Sequence, residues 1–190
     1  MIDPKNTANM LSPDSCKIRQ QRLRDQLASR NLDAALLTQM HYVHYFTGHW
    51  GRVILRSAVL IPVEGPVVLI TGTPAADYVA TDECIEFESN RRGTLVEDQG
   101  AVMFKVLEPY LKKYTQLGGD QCHRQVQATD INDILHAMRR AKDADEVALI
   151  SRALVGWEAA LVTARQVIAP GVTEIEVYAQ MQAAAVKAIG

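Results

Sequence analysis

Cysteine is scarce in this chain, and its three residues, Cys16, Cys84 and Cys122, lie far apart in the sequence. No two of them form a C-x-x-C pair, so a zinc site built from thiolates is not expected. Residues 1–11 are polar and lack the apolar central stretch of a secretory signal, which predicts a mobile tail. An odd number of cysteines without such a signal is typical of reduced thiols, and we expect a cytoplasmic protein.

Long apolar runs and an excess of one charge sign are also missing. The longest apolar runs, such as residues 58–63, are far shorter than the roughly 18 residues that suggest a membrane span. The 20 basic and 22 acidic residues are interleaved and give a formal net charge of −2. We therefore expect neither a membrane nor a nucleic acid as a partner. Hydrophobic residues make up 48% of the chain, which is enough for an ordinary core.

The sequence contains none of the common nucleophile or phosphate motifs. There is no G-x-S-x-G elbow, and the neighbours Cys122 and His123 direct their side chains apart in most conformations. The glycines of residues 48–51 and 118–120 are too sparse for a phosphate-binding loop. No catalytic residue is therefore predicted within this chain.

What the chain does contain is an alternation of helix-like and strand-like segments. Ser12-Pro13 predicts the start of a helix that ends near Asn31, with Arg19 on its solvent-facing side. Apolar residues at helical spacing predict another helix over residues 98–114, ended by Gly118-Gly119. The remaining segments are a short helix at residues 73–79 and strands at residues 32–37, 57–61, 67–71 and 84–87. Because one hairpin interrupts the alternation, we predict an α/β fold with a mixed β-sheet flanked by helices.

In residues 129–190 the apolar residues recur at helical spacing. Two capping-box patterns, Asp143 with Glu146 and Thr173 with Glu176, precede long amphipathic helices. The acidic residues at the first of these starts also suggest a metal cluster, but helix capping explains them with fewer assumptions. The apolar stripes of both helices need a partner surface.

The densest polar and aromatic segment, residues 41–52, follows the predicted central strand. Open α/β sheets bind ligands in the crevice beyond their strand ends. The imidazoles of His41, His44 and His49 would suit zinc. Against a zinc site, the segment has no carboxylate to orient the rings or complete the ligand set. In the alternative that we favour, Tyr45 and its aromatic neighbour lie in the core, and the histidines are surface or hydrogen-bonded groups.

Four short motifs follow one another along the chain. They are Asn-Leu-Asp-Ala-Ala-Leu-Leu-Thr at residues 31–38, Tyr45-Phe46-Thr47-Gly48, Arg139 and Lys142 with Glu146-Val147, and Ile-Ala-Pro-Gly-Val-Thr-Glu at residues 168–174. Each motif is weak alone. In this order and spacing, from about residue 16 to the end, the chain resembles the creatinase and prolidase (Xaa-Pro peptidase) family of pita-bread metallohydrolases. Its first part is closest to creatinase-like members.

The resemblance implies a two-domain enzyme. Residues 12–128 would form its N-terminal domain, with a ribonuclease-H-like mixed sheet that supports dimer formation and active-site closure. Residues 129–190 would be a linker helix and the first helices of a truncated catalytic domain. In the family's peptidases, two Asp, one His and two Glu hold two divalent ions (Mn, Co or Zn) that activate a bridging water, whereas creatinase uses related positions without metal. These ligand positions would all fall after Gly190, so the resemblance implies a chain that binds no metal or cofactor and is inactive alone.

The resemblance further implies a homodimer in which one N-terminal domain reaches toward the active site of the other subunit. The candidates for contact with substrate there are Trp50, Arg52, His41 and Tyr45, and an arginine can pair with a substrate carboxylate in bidentate fashion. A full-length form would act on a proline-containing peptide or a small guanidino or amide compound. The alternative is a stand-alone, non-catalytic dimerising or ligand-binding module, with Trp50 a packed loop anchor and Arg52 a solvated charge.

Overall fold

The chain forms two compact units. A computed structural model describes residues 10–51, 55–88, 90–92, 95–121 and 126–190. The first unit, Leu11–Ala141, contains all of the described β-strands, and the second includes Lys142–Gly190 and is helical.

The first unit is built around a mixed six-stranded sheet. Its elements are α1 (Pro13–Ser29), β1 (Ala34–Leu37), α2 (Met40–Thr47), β2 (Ser57–Pro62), β3 (Val68–Thr71), β4 (Glu83–Glu86), β5 (Arg91–Arg92), β6 (Leu95–Val96), α3 (Gln99–Leu111), β7 (Leu117–Gly119), β8 (Thr129–Asp130) and α4 (Asn132–Arg140). The strand order is β4-β3-β2-β1-β7-β8, and β5 pairs with β6 separately. Strand β2 is antiparallel to both β1 and β3, whereas the other neighbours in the large sheet are parallel. The prediction of an α/β fold with a mixed sheet is confirmed.

Strand β1 lies in the middle of the sheet and is buried on both faces. Ala35 and Leu37 belong to a core shared with α1, α2 and α4. Ala34 and Leu36, which point to the opposite face, belong to a second core that α3 covers. A continuous apolar run is what a strand covered by helices on both sides requires.

Helix α1 begins and ends where the sequence predicts, but one of its faces was assigned wrongly. The Ser12 hydroxyl accepts a hydrogen bond from the Ser15 amide, and Asn31 follows the helix with a left-handed φ of 56°. Arg19, predicted to face solvent, is completely buried. Its guanidinium donates to the Tyr45 carbonyl at 3.3 Å and lies over the Tyr45 ring at 4.8 Å, and these contacts offset the cost of burial.

Two further local predictions are wrong. Residues 73–79 form no helix, only a turn at residues 77 and 78. The pair Gly118-Gly119 does not end α3 but lies within β7. A Cβ atom on Gly118 would come within 2.9 Å of the Ile131 side chain, so glycine is needed here for close packing rather than for helix termination.

The boundary between the two compact units lies after Ala141. Strand β8 pairs with β7, and α4 buries Ile134 and Leu135 in the same core as α1 and α2. The long-range contacts of these side chains therefore hold α4 in the α/β unit.

The second unit contains a helix pair, α5 (Ala144–Val167) and α6 (Glu174–Ile189), whose helices contact each other. Both predicted capping boxes are confirmed. The buried residues of α5 are the small Gly156, Ala160 and Ala164. Many large apolar side chains of the pair remain exposed, including Val147, Ile150, Leu154, Val155, Trp157, Leu161, Val162, Ile175, Tyr178 and Val186.

Helix α5 is, among the described residues, the one helix long and apolar enough to cross a membrane by length and composition. Arg152 and Glu158 lie near its middle, where a charge inside a bilayer would cost several kcal/mol. The Arg152 guanidinium donates to the Ile189 carbonyl of α6. A helix that packs against a partner helix accounts for the same composition.

We expect Leu135→Ala to lower the free energy of unfolding of the α/β unit by about 2–4 kcal/mol, because it leaves a cavity in a fully buried position. His136→Ala, on the exposed side of the same helix, is the matched control and should change it by less than about 0.5 kcal/mol. Urea denaturation followed by circular dichroism measures both. Equal effects of the two variants would mean that α4 is not part of this core.

Candidate functional site

The candidate site lies at the edge of the sheet where β1 and β7 end. These strands are parallel neighbours, so their carboxyl ends meet at the same edge. Helix α2 follows β1 and ends at Gly48, which has a left-handed φ of 75°. Asp120 follows β7 directly. The site therefore combines a short helix, the loop after it and one acidic residue.

Asp120 fastens the start of α2 to the end of β7. Its buried carboxylate accepts hydrogen bonds from the amide of Thr38 at 2.9 Å, the amide of Gln39 at 2.7 Å and the Thr38 hydroxyl at 3.2 Å. Its own carbonyl accepts from the side-chain amides of Gln39 and Asn132, each at 3.1 Å. This role of Asp120 is missed from the sequence, where Gly118-Gly119 is predicted to end a helix and residues 118–120 are too sparse in glycine for a phosphate loop. The available signal was an acidic residue directly after a short strand.

His41 lies on the exposed side of α2. Its ring is 4.1 Å from the ring of Tyr42, which is buried and has the Arg139 guanidinium 5.4 Å from its centre. Burial lowers the pKa of His41, and the positive charge of Arg139 lowers it further, whereas Asp120 opposes both. His41 is thus accessible, with its neutral form favoured.

Tyr45 lies in the core rather than at the surface. Its side chain is 3% exposed, its ring contacts Phe46 edge-on at 4.9 Å, and its hydroxyl donates to the Met138 carbonyl at 3.2 Å. The side-chain amide of Gln20 completes the attachment of this region, since it donates to the carbonyls of Phe46 and Ala80, each at 2.7 Å. Tyr45 therefore supports the end of α2 from within.

Trp50 is the exposed group of the loop. Its side chain is 62% exposed, and its ring meets the ring of His44 edge-on at 5.2 Å. Burial lowers the pKa of His44, which polar contacts with the backbone of Gly48 and His49 partly oppose. Arg52, the other loop candidate, lies outside the described residues.

His49 points inward and belongs to a buried hydrogen-bond network. The residue is 3% exposed, and its Nε2 atom is 3.0 Å from the Thr71 hydroxyl of β3. The hydroxyl of Ser57 in β2 donates to the same oxygen at 2.9 Å. The His49 amide donates to the Thr47 hydroxyl at 3.0 Å. Burial lowers the pKa of His49, and the nearby His44 lowers it further.

The arrangement of the three histidines does not support a zinc site. His41 is exposed, His44 is half-buried beside Trp50, and His49 is buried and hydrogen-bonded to Thr71. Within the described ranges, no group of three or more His, Cys, Asp or Glu side chains is placed to hold a metal ion. The structure instead places His41 at the surface and His49 in hydrogen bonds, as the favoured alternative expects, whereas the buried Nδ1 atom of His44 has no hydrogen-bond partner among the described residues. The pair Cys122-His123 lies outside the described residues.

The sequence and the fold are both similar to known proteins. The sequence profile of the creatinase/prolidase N-terminal domain matches residues 19–154. Among curated proteins, none matches the chain.

Several solved peptidase structures have a similar fold. The Xaa-Pro dipeptidase from Bacillus anthracis is 20% identical with a TM-score of 0.67, over 90% of this chain and 49% of that one. The prolidase from Pyrococcus horikoshii OT3 is 16% identical with a TM-score of 0.62, over 90% and 48%. Dipeptidase PepE from Mycobacterium ulcerans is 14% identical with a TM-score of 0.60, over 92% and 50%. The chain thus spans about half the length of each.

We expect Asp120→Asn to lower the free energy of unfolding by about 2–3 kcal/mol. The amide group would replace Oδ1, which accepts from the Thr38 amide and hydroxyl, and would remove the charge that strengthens the bonds of Oδ2 to the Thr38 and Gln39 amides. Asp25→Asn is the control, since Asp25 is exposed and accepts from the Gln21 side chain, and should change it by less than about 0.5 kcal/mol. Chemical denaturation measures both. A neutral effect of Asp120→Asn would show that α2 does not depend on this carboxylate.

Proposed function

Because the chain belongs to the creatinase/prolidase N-terminal domain family, we propose that it is the accessory part of a hydrolase of the creatinase or Xaa-Pro dipeptidase type. In this role it supports dimer formation and covers an active site whose catalytic groups lie outside these 190 residues. The observation that carries the proposal is the family match over residues 19–154, in a fold similar to about half of the prolidase from Pyrococcus horikoshii OT3 and of the Xaa-Pro dipeptidase from Bacillus anthracis. A cytoplasmic location is part of the proposal and fits Cys16 and Cys84, neither of which is in a disulfide.

The metals of such a hydrolase would be two divalent ions, Mn, Co or Zn, in its catalytic part. The described residues of this chain do not provide a ligand set for them. Two neighbouring cations require several hard oxygen ligands that converge on one place. We therefore assign to this chain a part in recognition and assembly, not in activation of water.

Trp50 is the residue that we propose to contact substrate across a dimer. Its indole is 62% exposed, while its neighbours Gly48 and His49 are buried and hydrogen-bonded. A large flat side chain held by a fixed backbone can pack against an apolar group such as a proline ring at little cost in conformational entropy. Arg52 would pair with the substrate carboxylate and His41 would line the same face, with Tyr45 supporting the loop from the core.

A second candidate function is a stand-alone ligand-binding module, which a cavity beside α3 favours. The cavity has a volume of about 540 Å³, within the usual range for small-molecule sites. Its lining includes the apolar side chains of Phe104, Leu111 and Leu117 and the polar side chains of Lys105 and Thr115. A thermal-shift screen with small molecules distinguishes the two functions, because specific stabilisation of the chain alone supports a ligand-binding module.

We expect the purified chain to show no cleavage of Xaa-Pro dipeptides with Mn²⁺, Co²⁺ or Zn²⁺ added, and to form dimers in light scattering. No cleavage is expected because the described residues hold no converging set of metal ligands. Turnover that is lost on substitution of a residue within the chain would contradict the proposed accessory role. A strictly monomeric chain would contradict the proposed dimerisation.

In a protein that joins this chain to a catalytic part, we expect Trp50→Ala to lower kcat/KM for an Xaa-Pro dipeptide about tenfold, mainly through KM, because uniform binding energy is lost. Ile18→Ala on α1 is the control, since Ile18 is also exposed, at 59%, but lies outside the loop. Steady-state kinetics measures both. Unchanged kinetics for Trp50→Ala would remove Trp50 from the substrate site.

A further inference from the structure

The loop that presents Trp50 is fastened to the sheet by one imidazole. His49 is 3% exposed, and its Nε2 atom lies 3.0 Å from the Thr71 hydroxyl oxygen. Gly51 closes over this contact, because a Cβ atom there would lie 3.3 Å from the His49 Nε2 atom and 3.2 Å from the Ser57 hydroxyl. The imidazole therefore has little room to move while residues 48–51 stay in place.

The hydrogen-bonding capacity of the Thr71 hydroxyl is fully used. The Ser57 hydroxyl donates to it at 2.9 Å and the Thr73 amide at 3.0 Å, which occupies both of its lone pairs. Its single proton is shared between the Thr73 carbonyl at 2.9 Å and the His49 Nε2 atom. A neutral His49 whose Nε2 atom carries no proton fits this network as an acceptor.

A protonated His49 does not fit the network. Its Nε2–H group would need a lone pair on the Thr71 oxygen, so the Ser57 hydroxyl could no longer donate to that oxygen. It would also place a positive charge in a buried position. Of the titratable groups that act on it, His44 of α2 opposes the charge and Glu86 of β4 favours it, while Arg19 of α1 acts on His44.

We propose that His49 is a pH-sensitive switch: its protonation breaks the contact with Thr71 and releases residues 48–51, which separates Trp50 from His44. The inference goes beyond the proposed function, since it concerns the loop alone and does not require Trp50 to contact substrate. Burial lowers the pKa of His49 below the ordinary histidine pKa of 6.5, so the neutral form is favoured while the contact with Thr71 is made. The contact is therefore stable above pH 6.5 and is lost as the pH falls below that value.

The test is a pH titration of the intact chain by NMR, from about pH 8 to about pH 5. It follows the histidine ring protons, the backbone amides of residues 48–51 and the Trp50 indole proton. The loop signals should shift with one midpoint below 6.5 that coincides with titration of the His49 ring. Unchanged far-UV circular dichroism over the same range should show that the sheet stays folded. A loop that does not titrate, or that follows another histidine, overturns the proposal.

Three variants sharpen the test. His49→Gln keeps a polar group that cannot titrate here and should abolish the loop transition, whereas His44→Gln should retain it. Ser57→Ala frees one lone pair on Thr71 and should raise the midpoint by about 0.5–1 pH unit. A transition that persists in folded His49→Gln, or a midpoint that Ser57→Ala leaves unchanged or lowers, overturns the switch. Should His49→Gln fail to fold, the wild-type ring titration and Ser57→Ala still decide the question.

Discussion

The buried carboxylate of Asp120 is the interaction on which the geometry of the site depends. An ionised carboxylate is costly to bury unless its oxygens accept several hydrogen bonds, and Asp120 accepts them from two successive backbone amides and one hydroxyl of the β1–α2 junction. These amides belong to Thr38 and Gln39, directly before α2. The start of a helix has backbone amides without partners inside the helix, and Asp120 accepts from the amide at the N-cap, Gln39. One side chain at the end of β7 therefore fixes where α2 begins. The position of α2, and with it the start of the loop that carries Trp50, depends on that contact.

The loop is then held from three directions that are distant in sequence. Gln20 of α1 binds the Phe46 carbonyl, Thr71 of β3 binds His49, and Tyr45 reaches the Met138 carbonyl at the end of α4. Because these contacts fix the backbone just before Trp50, an exposed tryptophan does not have to be ordered by its own packing. The same property makes the loop sensitive to any change in the charge of the imidazole that fastens it.

Features set by neighbouring residues could be predicted from the sequence, and features set by distant contacts could not. The apolar run of β1 and the helix-start signal at Ser12 have local causes, and the structure has both. Arg19 was placed in solvent because its partner Tyr45 is brought to it only by the fold. In the same way, glycine at residue 118 reflects the distant Ile131. For the site, the sequence predicts the segment around α2 as the candidate, but the bond between His49 and Thr71 joins elements that no local pattern connects.

The way in which polar groups are used at this edge favours recognition over chemistry. A catalytic group needs a hydrogen-bonding partner that orients it and an open side toward the reacting atoms. The Asp120 carboxylate and the His49 imidazole are buried, and each directs its oxygens or its Nε2 atom at the protein's own backbone or hydroxyl groups. Among the described residues, this edge offers a ligand the indole of Trp50 and the accessible ring of His41. The indole of Trp50 contributes contact area without supplying a nucleophile or a metal ligand, which is the property that the proposed accessory role requires.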